Sequence, residues 1–174
     1  SRPPSPPTAG EVADHGLITL TGADGTSFAA YRAVPAEPNG RNVVILPDVR
    51  GLHAYYEQLA VRFAEAGFHA VAIDYFGRTQ GVAERADGFD WQSEIGTLTD
   101  EGVASDVAAA VAHLDTVHAG PTFTLGFCFG GSHSWRLSAA DLGLSGVMGF
   151  YGRPAMIADV EATMRTPPLP LVAG

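Results

Sequence analysis

The stretch "PTFTLGFCFGGSHSWR", Pro121 to Arg136, runs an apolar strand pattern straight into a helix, with Gly126 two residues before Cys128 and Gly130 two after it. Few folds accommodate such a junction. The chain must reverse so abruptly that a side chain at either glycine would crowd the neighbouring backbone, and the residue between them is left strained and exposed. A strand that turns directly into a helix belongs to a sheet in which strands and helices alternate, which makes the rest of the sequence the next thing to read.

That alternation is present. "NVVILP" is a continuous apolar run with β-branched residues, as expected of a strand covered on both faces. "AYYEQLAVRFAEAG" follows with Tyr56, Leu59, Ala60 and Phe63 at helical spacing and Gly67 as a stop. "FHAVAID" reads as a second buried strand, "EGVASDVAAAVAHLD" as a helix with Val103, Val107, Val111 and Leu114 on one stripe, and "PTFTLGF" as a third strand. The helix "GGSHSWRLSAADLG", the strand "SGVMGFYG" and a last strand in "PPLPLVAG" complete the series. Upstream, "GLITL" and "TSFAAYRAV" flank the turn signal Asp24-Gly25 and read as an antiparallel hairpin. The proline-rich residues 1–12 are expected to form an extended or disordered arm, and residues 13–174 one domain. The predicted fold is therefore α/β: a mostly parallel sheet with helices on both faces and an antiparallel hairpin at one edge. In such sheets the reactive groups lie at the carboxyl ends of the strands, where Cys128, Asp48, Asp74 and Tyr151 all fall.

Composition narrows the partners. A formal net charge of -9, with only ten Lys and Arg among 174 residues, argues against nucleic acid or an anionic membrane and for a small-molecule partner. One cysteine makes no internal disulfide, no apolar run is long enough to span a membrane, and the N-terminus lacks a signal-peptide layout, so the cytoplasm is the expected compartment.

Cys128 has two readings. Free cysteine is often a buried apolar filler, but strand, glycines and helix together describe a nucleophile elbow. The free N–H groups at the start of the helix also favour negative charge on sulfur. A phosphate cradle is disfavoured, because "GFCFGGSH" has neither the loop length nor the lysine of a P-loop. Acyl transfer needs donors for an oxyanion: the elbow offers the N–H of Phe129, and a second donor is expected from the loop after an early strand, here "LPDVRGL".

The sequence resembles the dienelactone hydrolase family, a branch of the α/β-hydrolase fold that uses cysteine where most relatives use serine. The resemblance rests on "ILPDVRGLHAYYEQLAVRFAEAGFHAVAIDYFGR", "GFCFGGSHS" and "GVMGFYG", and covers nearly all of the chain after residue 40. It implies Cys128 as nucleophile, the N–H groups of Val49 and Phe129 as the oxyanion hole, and Asp48 in place of a glutamate that pairs with the resting cysteine. It also implies Arg78, closing "DYFGR", as the anchor of a substrate carboxylate; Arg50 is either a second anchor or a solvated side chain. Neither metal nor organic cofactor is implied.

In this fold the acid and histidine follow the nucleophile in the chain, the acid after the next strand and the histidine after the last. Neither is found in its expected place. His69, His113 and His118 lie away from the converging loops, His133 lies inside the elbow helix, and only His53 is near the correct edge, while Asp141 and Asp159 suit the acid no better. The expectation is an N-terminal portion of a longer hydrolase, incomplete at its C-terminus. Its substrate would be a small carboxylate-bearing ester or lactone such as a dienelactone from aromatic-compound breakdown. The alternatives are a broad carboxylesterase or thioesterase, or a non-catalytic ligand-binding protein.

Overall fold

The hairpin predicted around Asp24-Gly25 is formed by β1 (Val12–Thr21) and β2 (Ser27–Pro35), paired antiparallel, with Gly25 at φ 82° in the turn. The five strands that follow are β3 (Asn42–Leu46), β4 (His69–Ile73), β5 (Thr122–Phe127), β6 (Gly146–Phe150) and β7 (Pro168–Leu171). All seven join one sheet in the order β1-β2-β4-β3-β5-β6-β7 in this computed structural model, which describes residues 2–83 and 89–172. Pairing is parallel from β4 across to β7, and β2 meets β4 antiparallel. The strand read in "PPLPLVAG" is β7, the edge strand; Ala173 and Gly174 lie outside the described residues.

The helices are α1 (Ala54–Glu65), α2 (Gly77–Gln80), α3 (Trp91–Glu94), α4 (Asp100–Val117), α5 (Phe129–Arg136) and α6 (Pro154–Ala158). Helix α1 buries Tyr56, Ala60 and Ala64 against Val43, Ile45, Ala70 and Ala72 on one face of the sheet. On the other face Val103, Val107, Ala110 and Leu114 of α4 pack against Val44, Leu46, Val71 and Ile73. Alternate residues of β3 thus feed two cores, which is why the strand is apolar throughout. Each fully buried Val, Leu or Ile contributes about 1.5–3 kcal/mol relative to exposure.

Sequence and structure part company in two places. The helix expected over "GGSHSWRLSAADLG" ends at Arg136 and tightens into a 3-10 turn over Leu137–Ala139, where the Ser138 carbonyl accepts N–H groups from Arg165 and Thr166. The short helices α2, α3 and α6 had no sequence signal, being too brief to display a hydrophobic period. At the N-terminus the proline-rich segment runs along α1: Pro3 is buried, Arg2 Nε donates to Gln58 Oε1 at 3.2 Å, and Gly10 N–H donates to the Glu65 carbonyl at 2.7 Å.

Candidate active site

Three strand ends build the site. At the end of β5, Cys128 has φ 53° and ψ −111°, a conformation that L side chains rarely adopt, and it is exposed. The glycines around it have a steric cause: a Cβ on Gly126 would lie 2.0 Å from the Gly130 carbonyl oxygen, and one on Gly130 would lie 2.2 Å from that of Leu46. The elbow is tied on both sides, because Cys128 N–H donates to the Phe150 carbonyl at 2.9 Å and Gly130 N–H to the Pro47 carbonyl at 3.1 Å. Tyr75, buried beneath, donates its hydroxyl to the same Pro47 carbonyl at 2.8 Å. The loop after β3 is therefore held directly against the start of α5.

That loop carries Asp48, Val49 and Arg50. Asp48 accepts hydrogen bonds from Arg50 three times: from its N–H at 2.9 Å, from Nε at 3.1 Å and from Nη2 at 2.6 Å. His53 Nε2 lies 3.8 Å from the same carboxylate, and Asp48 N–H donates to Tyr56 Oη at 3.0 Å. Burial raises the Asp48 carboxyl, but the nearby His53 and the hydrogen bonds from Arg50 outweigh it and hold the group well below the usual carboxylate range. Burial, reinforced by the Asp48 charge, pushes the Tyr56 phenol up. Among the described residues neither Val49 nor Phe129 spends its N–H on a hydrogen bond.

Asp48, Arg50, His53, Ala54, Tyr55, Tyr56 and Tyr151 line one open cavity of about 400 Å³. Tyr151, the residue after β6, has φ 42° and stands exposed; burial, then the charges of Asp48, Tyr55 and Cys128, raise its phenol. His53 caps α1, its Nδ1 accepting Tyr55 N–H at 3.4 Å, so that nitrogen is committed to the helix terminus.

The predicted site residues do not all meet. Cys128 and Phe129 start the helix whose Gly130 N–H is bonded to Pro47, the residue before Asp48, Val49 and Arg50; of these five only Asp48 and Arg50 line the cavity. Arg78 does otherwise: its Nε and Nη2 donate to the buried Asp106 of α4 at 3.1 and 2.8 Å, and its Nη1 to Asp24 of the hairpin turn at 2.6 Å. It joins two elements of the fold and does not line the cavity. His133 is buried against Phe129, with Nδ1 3.4 Å from Asp100. Sequence reasoning missed the tyrosine lining. Tyr56 carried only the signal of a core stripe, whereas Tyr151 sat at a strand end and so had the positional signal of a site residue.

A mostly parallel sheet flanked by helices, with a strained, exposed residue at a strand-to-helix elbow, defines a protein of the α/β-hydrolase class. The model of the dienelactone hydrolase family matches residues 28–173, and this chain belongs to that family. It is 30% identical over 147 residues to carboxymethylenebutenolidase of Rhodococcus opacus, and 35% identical over 136 residues to a Bradyrhizobium protein described as a probable 2-oxo-3-(5-oxofuran-2-ylidene)propanoate lactonase. These matches cover 78% and 75% of this chain but only 52% and 54% of those relatives, so the chain spans about half their length. The dienelactone hydrolase of Anabaena variabilis has the same fold, with a TM-score of 0.68 at 15% identity over 92% of this chain and 74% of that one. A dienelactone hydrolase-like promiscuous phosphotriesterase from metagenomic libraries gives 0.69 at 23% identity, over 90% and 67%.

Proposed function

We propose that this chain carries the nucleophile of a hydrolase that cleaves a small ester or lactone through a cysteine acyl-enzyme. The observation that carries the reading is the exposed Cys128 at a positive-φ elbow; the N–H groups of Phe129, next in the chain, and of Val49, in the loop tied to α5 through Pro47, are free of other hydrogen bonds among the described residues and are the donors we propose. The Cys128 thiolate adds to the substrate carbonyl carbon; a C–S bond forms and the carbonyl π pair moves to oxygen, where the two N–H groups receive it. Collapse restores the carbonyl and breaks the C–O bond to the leaving alkoxide, which takes up the proton the thiol gave; in a lactone the freed alcohol stays attached to the acyl group. Water then attacks the thioester, releasing the carboxylic acid and returning the thiol. Asp48, beside the elbow, influences the thiol before substrate arrives. The two relatives compared above run well beyond the matched span, and we assign the acid and histidine that move these protons to that further length.

The name of the Bradyrhizobium relative describes a carboxylate-bearing lactone, and a substrate of that class suits this cavity if Arg50 leaves Asp48 to receive the carboxylate. Arg78 is left out of the proposal because its guanidinium is already shared by two carboxylates. One observation favours a second reading, a broad carboxylesterase for neutral esters: Arg50 is closed on Asp48 as well, so the cavity offers no uncompensated cation among its lining residues. The setting we propose is the cytoplasm; no described helix is long and apolar enough to cross a membrane.

Mixing the protein with p-nitrophenyl acetate tests the acyl-enzyme. The expected result is a burst of one p-nitrophenolate per chain and an intact mass raised by one acetyl group, both lost in Cys128→Ala. A chain with neither burst nor adduct would sink the reading.

A further inference from the structure

Only two non-glycine residues among those described have positive φ, Cys128 at 53° and Tyr151 at 42°. They are neighbours. Phe127 and Phe150 are register partners at the ends of β5 and β6, so Cys128 and Tyr151 are the next residue of each parallel strand, and Cys128 N–H bonds the carbonyl of the residue before Tyr151. Strain at Cys128 belongs to the elbow. Tyr151 needs its own explanation.

Backbone packing explains why position 151 is left-handed. Tyr151 N–H is drawn to the Leu171 carbonyl of β7 at 2.6 Å, and Arg153 N–H to Ser132 Oγ of α5 at 2.8 Å. Between them Gly152 lies so close to α5 that a Cβ would stand 2.6 Å from Ser132 N. Glycine or asparagine would satisfy that bend without the penalty a bulky residue incurs, about 1–2 kcal/mol. The tyrosine is not repaid by burial either, since the residue is 53% exposed, with its ring 6.2 Å from that of Phe127. A strained, exposed aromatic beside a nucleophile is where an inference from strain to function is warranted.

We infer that Tyr151 is a specificity-determining residue whose ring forms a stacking platform for a planar, π-bearing group bound next to Cys128, such as the aryl or conjugated part of an ester. The inference rests on the cysteine-hydrolase reading for the identity of the ligand, though not for the position of the ring. Tyr55 and Tyr56 supply further aromatic lining in the same cavity, and the Phe127 ring, 5.8 Å from Tyr56 and 6.2 Å from Tyr151, stacks on Phe150 at 5.1 Å and 6°. An aromatic contact of this kind discriminates by roughly two- to tenfold.

The test uses alkylation of Cys128, which needs no ester hydrolysis. The rates of N-phenylmaleimide and N-ethylmaleimide are compared in the wild-type chain, Tyr151→Phe and Tyr151→Gly. The phenyl-to-ethyl rate ratio is expected to fall about fivefold in Tyr151→Gly and to stay within about twofold in Tyr151→Phe, which keeps the ring. The melting temperature of Tyr151→Gly is expected to hold or rise, because glycine adopts the same φ freely. An unchanged ratio in Tyr151→Gly overturns the proposal; so does a parallel fall in both rates, which would mean that the tyrosine shapes the elbow and not the ligand. A wild-type phenyl preference that depends on Tyr151, together with no acetyl burst, supports the platform and sinks the hydrolase reading alone.

Discussion

Arg50 closes on Asp48 with three donors, and both residues line the cavity, so an anion that enters it meets a guanidinium already paired. Its chemistry makes the first prediction. Asp48→Asn removes the negative partner and frees the guanidinium, so acylation of Cys128 by a succinate half-ester is expected to gain about tenfold relative to the neutral acetate ester, a shift of the size of one charge-assisted hydrogen bond. Comparing the two burst rates in each variant checks it and cancels any common effect of Asp48 on the thiol. Because the folded-state carboxyl lies below its ordinary value of 3.8, the stability it contributes is complete above that pH and fades only as pH falls further. The wild-type preference should therefore be flat from about pH 8 to pH 5.

Arg78 and Asp106 test whether the end of "DYFGR" binds substrate or holds the fold together. Arg78→Gln leaves Asp106, which has no exposed surface, without its bidentate partner, and breaking a buried pair costs about 3 kcal/mol. The expected outcome is a lowered urea midpoint with a Cys128 alkylation rate unchanged within about twofold. A site role would show the opposite: full stability and weakened discrimination between anionic and neutral esters.

The elbow glycines have no tolerance for a methyl group. Gly126→Ala and Gly130→Ala drive a Cβ onto backbone carbonyls that cannot swing aside, and each is expected to lose at least about 3 kcal/mol or fail to fold, read by thermal denaturation. Gly16→Ala, in a strand with nothing within 4 Å of the added carbon, is the control and should be neutral or slightly stabilising.

His133 gives the molecule a stability that depends on pH. Burial lowers it from 6.5 to about 4, the Asp100 charge opposing this only in part and Arg136 adding to it. A folded-state value below the unfolded one means that the neutral form is preferred in the native protein: the full stability is present above pH 6.5 and is lost as pH falls toward 4. The loss is roughly 3 kcal/mol. Denaturant midpoints at neutral and mildly acidic pH should show it, and His133→Gln should remove most of the difference. His69, buried beside His118 with which it stacks, acts in the same direction.

How far this could be read in advance depends on the range of the interaction. The strands and long helices were legible because their periods are local: two cores meet at β3, and "NVVILP" records both. Cys128 was legible because steric crowding fixes the glycines two residues either side. Asp48, Val49 and Arg50 followed once strand ends were known to converge. The partner of Arg78 was not, since Asp106 sits 28 residues away in a helix whose sequence gives no hint of an inward-facing carboxylate. Nor was the backbone of Tyr151: "GFYG" permits many conformations, and the one adopted is imposed by α5 and β7.

The elbow's hydrogen bonds to Pro47 and Phe150 reach about 80 residues back and about 20 forward in sequence, so no fragment of the turn can hold its shape alone. The backbone distortion at position 128 is therefore imposed from outside the turn, and only once three separate stretches of chain have docked. The left-handed conformation of Cys128 is then a property of the assembled central strands, inherited from β3 and β6 and not written into the turn itself.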